Sequence, residues 1–222
     1  MPSTCLIAGC RRASKRHSPL CSTHQQNQRR HGHALQRPFT KGELTRAKTL
    51  VRQLIDSRSN AEAVWAKLIA SLEQVRTEAL AEVRQMETSV HFRWKLAAER
   101  DIVTTCQEAQ AEDIILTMVA LGYMSSLDDR RFETDTAWFM TAGRRFRLLA
   151  RSNYTATTNP TTGKRHWTPT DVAPKRLQHL GVRLMSVFAP PGFALRSAEV
   201  ITAQKRGEAR TAAAKLITGD KP

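Results

Sequence analysis

Three thiols and an imidazole, Cys5, Cys10, Cys21 and His24, follow one another at the spacing C-x4-C-x10-C-x2-H. Thiolates and a neutral imidazole are borderline-soft donors, and four of them close a tetrahedral site around one Zn2+ with no position left for a substrate. The chemistry expected of this cluster is therefore structural. Gly9 lets the chain turn between the first two cysteines, and Cys21 and His24, three apart, share a face if a helix starts there. A disulfide would leave an odd thiol in the cluster, and the C-x-x-C of a redox pair is absent. So small a unit has almost no core, and removing its metal should unfold it.

Cations surround these ligands. Arg11, Arg12, Lys15 and Arg16 fill the spacer, and Arg29 and Arg30 follow the histidine. Grouped around a folded metal core, they are expected to hold phosphates. Gln25 and Gln28, with Gln26 and Asn27 between them, carry amides suited to base edges. The same run also reads as a polar, solvated helix face. His31 and His33 read as surface histidines.

The stretch CLIAGCRRASKRHSPLCSTHQQNQRRHGHALQRP resembles the small Cys3His, treble-clef-like zinc finger of many phage and integrative-element proteins, which also stands at the front of some HNH-type endonucleases. Cys5, Cys10, Cys21 and His24 match its ligand positions. Arg29, Arg30, His31 and Gly32 match its basic helix and that helix's end. Pro19 stands where a Gly is common before Leu-Cys, and Gln25 where an aromatic residue usually follows the histidine. The resemblance covers about residues 1–37 and implies a nucleic-acid-binding finger on a mobile genetic element.

The rest of the chain must carry this finger. It has 222 residues, net charge +15 and 41% apolar residues, enough to bury a core. Residues 1–50 carry +9, 51–100 carry +1, 101–150 carry −3 and 151–222 carry +8. Positive charge at both ends around a balanced middle points to a polyanionic partner, against the plainer reading of a solubilising surface. No apolar run is long enough to cross a membrane. The opening MPSTCLIAGCRR does not read as a signal peptide, so a cytoplasmic location, in a bacterial cell or phage-infected host, is expected.

The fold class expected is mainly α: a zinc finger over 1–37, a helical hairpin or coiled coil over 38–122, and a basic helical region with one β-hairpin over 123–222. Thr40 and Glu43 form a capping box, and Leu44, Ala47, Leu50, Val51, Leu54 and Ile55 mark an amphipathic face. After a break at 56–60, Trp65, Leu68, Leu72, Val75, Ala79, Val83, Met86 and Val90 trace a near-heptad seam. An intrachain bundle and a homodimer coiled coil explain that seam equally well. A third helical segment over 91–121 is expected to stop at Gly122, with Cys106, Trp65 and Trp94 as core residues.

Asp128-Asp129 reads as the start of a helix leading to Arg144, Arg145 and Arg147. The run RSNYTATTNPTTGKRHWTPT then reads as a β-hairpin turning through 159–163, with Lys164 and Arg165 on its second arm. That hairpin is either a wing lying beside DNA or an ordered loop. Helical pattern resumes over 172–185, interrupted at Gly181, with a hinge at Pro190-Pro191-Gly192. A basic terminal helix over 197–217, bearing Lys205, Arg206, Arg210 and Lys215, follows.

Outside the finger, His91, His166 and His179 show no Asp-His pair and no metal-ligand spacing. No phosphate loop, nucleophile elbow or H-E-x-x-H is present. An enzyme is not expected. The reading is a zinc-stabilised protein that binds double-stranded DNA, a transcriptional regulator or accessory factor of a phage or integrative element. The alternatives are an HNH-like nuclease with a divergent active site and a factor that binds a host protein. Duplex DNA is preferred over RNA because the sequence shows no aromatic-rich stacking surface.

Overall fold

The computed structural model describes residues 4–127, 131–159 and 161–218, and within the last helix the side chains of 207 and 209–218 lie outside that description. Asp128-Asp129, Pro160 and the side chains of Arg210 and Lys215 therefore fall outside the described residues. The fold is mainly α: among the described residues, seven α-helices with one two-stranded antiparallel hairpin.

Helix α1 (Ser22–His31) belongs to the finger. Helix α2 (Lys41–Asp56) begins at the expected capping box: the Glu43 amide donates to the Thr40 hydroxyl at 3.1 Å, and the Thr40 amide donates to the Glu43 carboxylate at 2.7 Å. Its face of Ala47, Val51 and Ile55 is buried. Asn60 occupies the N-cap position of α3 (Ala61–Glu87) but makes no side-chain cap bond. The seam from Leu68 to Met86 is buried, covered mainly by α4 (Arg93–Glu108), with two later helices, α5 (Ala111–Ser125) and α7 (Pro174–Thr218), behind it. The chain thus supplies its own partner for the seam. Val90, beyond the end of α3, is fully exposed.

The third helical segment is two helices. The chain is extended at Ala109 and Gln110, and α5 (Ala111–Ser125) restarts with Glu112 and Asp113 in its first turn, where acids favour the helix dipole. Lys48 of α2 meets Asp113 at 2.6 Å, and Arg52 pairs with Glu112. From Ile114 to Tyr123 every residue of α5 is buried, so it is apolar all round and forms the centre of the molecule.

Gly122 does not end α5. A Cβ there would lie 2.8 Å from the Ala189 Cα of α7 (Pro174–Thr218), so its lack of a side chain lets the two helices touch. Gly192 does the same from the other side, against Tyr123 and Val119. Gly143 of α6 (Asp135–Arg147) and Gly181 of α7 form a second close crossing, in which a Cβ at Gly181 would overlap the Phe139 carbonyl. Neither Gly181 nor Pro190-Pro191-Gly192 interrupts α7. Both prolines sit inside it, and Pro190 is on the solvent side, where a carbonyl that loses its i+4 amide donor is hydrated. We expect Gly181→Ala to push α6 and α7 apart and to lower stability by about 1–3 kcal/mol, read as a fall in the urea midpoint without loss of helical signal.

The hairpin consists of β1 (Tyr154–Thr158) and β2 (Arg165–Pro169), with Tyr154 opposite Pro169 and Thr158 opposite Arg165. Its turn is held by the Asn159 carboxamide oxygen, which accepts from the amides of Thr161 at 2.9 Å and Thr162 at 3.1 Å. Gly163 takes the left-handed conformation at φ 64° that closes it.

The hairpin's root is clamped by buried charge. Asp101 on α4 is paired with Arg147 on α6 at 2.9 Å and with both arms of the Arg176 guanidinium on α7 at 2.6 Å. Arg147 also donates to the Thr170 carbonyl at 3.1 Å and the Asn153 carboxamide at 2.9 Å, gripping both legs of the ribbon. Beside this cluster, Glu99, fully buried, meets His179 at 2.7 Å and Arg183 at 3.0 Å.

Candidate metal centre and basic surface

The four ligands are brought together by three backbone devices. Thr4 bridges to Ala13, and the Cys5 amide donates to the Arg12 carbonyl at 3.0 Å, folding residues 4–13 into a tight loop. Gly9 closes that loop at φ 78°, and the Cys10 amide donates to Ile7 at 3.0 Å. A second turn at 15–18 returns the chain, and the Leu6 amide donates to the Pro19 carbonyl at 3.0 Å. The proline that departs from the finger pattern thus supplies an acceptor, for which its missing amide is no handicap. Cys21 is then the N-cap of α1 and His24 lies in its first turn.

The donor atoms of Cys5, Cys10, Cys21 and His24 all lie within 4.8 Å of one another. Cys10 and Cys21 sulfurs are 3.9 Å apart, and the His24 Nδ1 is 3.3 Å from Cys5 Sγ and 3.4 Å from Cys21 Sγ. Around one tetrahedral ion, two zinc-bound sulfurs stand about 3.8 Å apart and a sulfur and a nitrogen about 3.5 Å. The residues therefore fit one metal ion, with His24 ligating through Nδ1. The Cys21 amide donates to Cys5 Sγ at 3.3 Å, a bond that stabilises a thiolate. The backbone N–H of His24, at the start of α1, holds the Cys21 thiol below its ordinary pKa. Both favour the metal-ready form.

The finger is docked on the helical body. Gly32 ends α1 at φ 81°, and a Cβ there would stand 3.0 Å from the backbone of Thr136 and Ala137 at the start of α6. Arg144 of α6 donates to the Arg30 carbonyl at 3.1 Å. Gln36, buried, donates to the Arg131 carbonyl at 3.1 Å and accepts from the Glu133 amide at 3.1 Å. Phe39 stacks on Phe132, and the Arg131 guanidinium lies 4.1 Å over its ring. Burial, with the charges of Arg144, Arg30 and Arg145, lowers the His31 pKa and favours its neutral form.

The cations and glutamines singled out in the sequence divide into two groups. Arg11, Lys15, Arg16, Gln25, Gln28, Arg29 and Arg30 are exposed on the finger, and so is Arg12, whose guanidinium also bonds the Thr23 hydroxyl. Lys164 and Arg165 are exposed on the hairpin. Arg144 lies between the two groups: besides reaching Arg30, it stands 3.8 Å from Asp171 at the hairpin's foot. Arg145 and Arg147, by contrast, are spent inside, on the Phe39 carbonyl and on Asp101.

Among the described residues, the finger is the one place where three or more His, Cys, Asp or Glu side chains converge as a metal site would require. His179 is bonded to Glu99, His91 to the Ser89 carbonyl, and His166 is exposed on β2. Cys106, half-buried on the core, has its thiol pushed up to about 11, chiefly by burial. No helix among the described residues is long and apolar enough to cross a membrane.

Two features were not foreseen from the sequence. The hairpin's register puts Tyr154, Ala156, Arg165 and Trp167 on one face and Thr155, Thr157, His166 and Thr168 on the other. Strand alternation was the signal that would have found this aromatic face. The other feature is a cavity of about 550 Å³ walled by Phe132, Trp138 and Phe193 and edged by Glu133 and Asp135. Its residues come from α5, α6, α7 and the 131–134 segment, so no local motif marks it. No protein-family model, curated protein or solved structure matches this chain.

Proposed function

We propose that the protein is a zinc-stabilised DNA-binding factor, a regulator or accessory protein of a phage or integrative element, which grips duplex DNA with its finger and its hairpin. The observation that carries this reading is the exposed cationic face of α1, docked through Arg30 and Arg144 next to the foot of a cationic ribbon. Zinc, held by Cys5, Cys10, Cys21 and His24, supplies folding energy and no reaction step, because four protein ligands leave it no open position. Arg11, Lys15, Arg16, Arg29 and Arg30 would lie on phosphates, with Gln25 and Gln28 placed for base edges. Lys164 and Arg165 would extend the footprint beyond the finger.

A gel shift on mixed duplex fragments at several salt concentrations tests this. Each phosphate contact contributes about 0.9 to the slope of log K against log salt. Arg29→Ala and Arg30→Ala should each reduce that slope by about one, weakening binding about equally across sequences. Gln28→Ala should instead weaken one fragment more than the others. A slope left unchanged by both arginine substitutions removes the finger from the interface, and cleavage of the fragments in Mg2+ would point to a nuclease.

A protein partner is a second reading, favoured by the cavity at Phe132, Trp138 and Phe193. Neither Glu133 nor Asp135 has a cationic side-chain partner among the described residues. Aromatic walls beside free carboxylates suit a lysine or arginine side chain. On this reading, a pull-down yields a stable partner that Trp138→Ala releases, while DNA affinity is weak and abolished by moderate salt.

A further inference from the structure

Among the described residues the hairpin is an unpartnered two-stranded ribbon: along both strands only Tyr154 is even half-buried. Such a ribbon is marginal by itself in water, and here a buried ion cluster holds its root upright in solvent. One of its faces is aromatic and cationic. Trp167 is 47% exposed, and the Arg151 guanidinium lies 5.0 Å from its ring centroid. Tyr154, two positions along on the same face, is fixed by a 3.0 Å bond from its hydroxyl to the Leu148 carbonyl. Leu149, Arg151, Tyr154 and Trp167 enclose an open cavity of about 350 Å³, within the size range of small-ligand sites. Arg165 lies on that face and Lys164 precedes it, and among the described residues the cavity has no acidic lining. The nearby Glu108 carboxylate is occupied by the Ser152 amide, at 3.0 Å.

We propose that this face binds single-stranded DNA, with an unpaired base stacked on Trp167 in the cavity beside Tyr154 and the adjoining phosphates on Arg151, Lys164 and Arg165. Phosphate contacts alone account for the cations but not for the indole. In a duplex each base is stacked on its neighbours, so a half-exposed aromatic ring flanked by a planar guanidinium is matched by a base that has left the stack. An apolar peptide would leave the three cations unanswered. The finger then holds the duplex while the ribbon captures a strand where that duplex is open. This rests on the DNA-binding reading above and gives the hairpin, beyond its cationic contact, an aromatic face for an unpaired base.

The test is anisotropy titration of the zinc-loaded full chain against labelled oligothymidylate, oligouridylate and a mixed-sequence duplex, repeated with Trp167→Ala and Trp167→Phe. Because Trp167 lies on an exposed ribbon, both variants should fold, and unchanged thermal melting checks this. Trp167→Ala should weaken oligothymidylate binding by roughly 5- to 150-fold, Trp167→Phe should restore most of it, and duplex affinity should stay within about twofold. The proposal is overturned if Trp167→Ala binds oligothymidylate as the parent does, if duplex and single strand weaken together, or if oligouridylate is preferred. If the parent binds duplex in a zinc-dependent way but not oligothymidylate, the ribbon site falls and the finger reading stands. If it binds neither, both fall.

Discussion

Removing the metal with a strong chelator is expected to unfold residues 1–37 and leave α2 to α7 standing. Helix α1 buries no residue of its own, and within residues 4–30 the buried side chains are those of two ligands, Cys5 and Cys21. Without an ion, three thiols and an imidazole crowd together with nothing to hold them. A structural zinc site contributes about 10–16 kcal/mol of folding free energy at neutral pH, far more than the few docking contacts at Gly32, Gln36 and Phe39 can replace. The helical body has its own core around α5, which includes no residue before Phe39. Thiol titration reads this directly. Cys106, with its thiol at about 11, stays slow throughout, so the thiols that appear on chelation are Cys5, Cys10 and Cys21. Cys21→Ser should reproduce the loss, and duplex binding should vanish with it. Finger thiols that react equally fast before and after chelation would remove the metal from the account.

The second large effect is expected at Asp101. Its carboxylate, 5% exposed, pairs with both Arg147 and Arg176, and through Arg147 it holds both legs of the hairpin. Asp101→Ala leaves the Arg147 guanidinium buried without its counter-charge, a change that costs about 3–5 kcal/mol, a large share of a typical stability of about 5–15 kcal/mol. The urea midpoint should fall sharply, with the hairpin losing amide protection before the bundle does. A double variant, Asp101→Leu with Arg147→Met, removes the more deeply buried pair together and should recover much of the bundle's stability, because Arg176, 23% exposed, can turn to solvent. It cannot restore the bonds from Arg147 to Thr170 and Asn153, so the ribbon should remain loose. Equal loss in the single and double variants would mean that the charge is not what holds this junction.

Much of the molecule is legible from short-range spacing. The metal ligands, the Thr40–Glu43 cap, the seam from Leu68 to Met86 and the hairpin turn at Asn159 and Gly163 are each specified by residues a few positions apart. Local backbone geometry then suffices to place them. Even the Gly9 turn follows, because only its own loop constrains it. The fate of the seam was open, since a period of apolar residues states that a face will be covered and not by which helix.

The glycines mark the boundary of that legibility. Gly122, Gly181 and Gly192 look like interruptions along the chain, yet each lies inside a continuous helix where another backbone passes too close for a Cβ. Whether a glycine ends a helix or admits a neighbour depends on residues forty or more positions away, at Phe139 and Ala189 among others. The arginines divide the same way. Arg29 and Arg30 stay in solvent, while Arg145 and Arg147, as basic in sequence, are committed to a carbonyl and a buried carboxylate. The sequence by itself determined the metal-binding set, the helical class and the positions of the basic segments, because ligand type, helical period and net charge act over a few residues. Tertiary structure alone decided which cations remain free, which aromatic rings wall the cavity at Trp138, and how the finger sits against α6. Those depend on burial and on close approach between distant segments, and no local spacing encodes them.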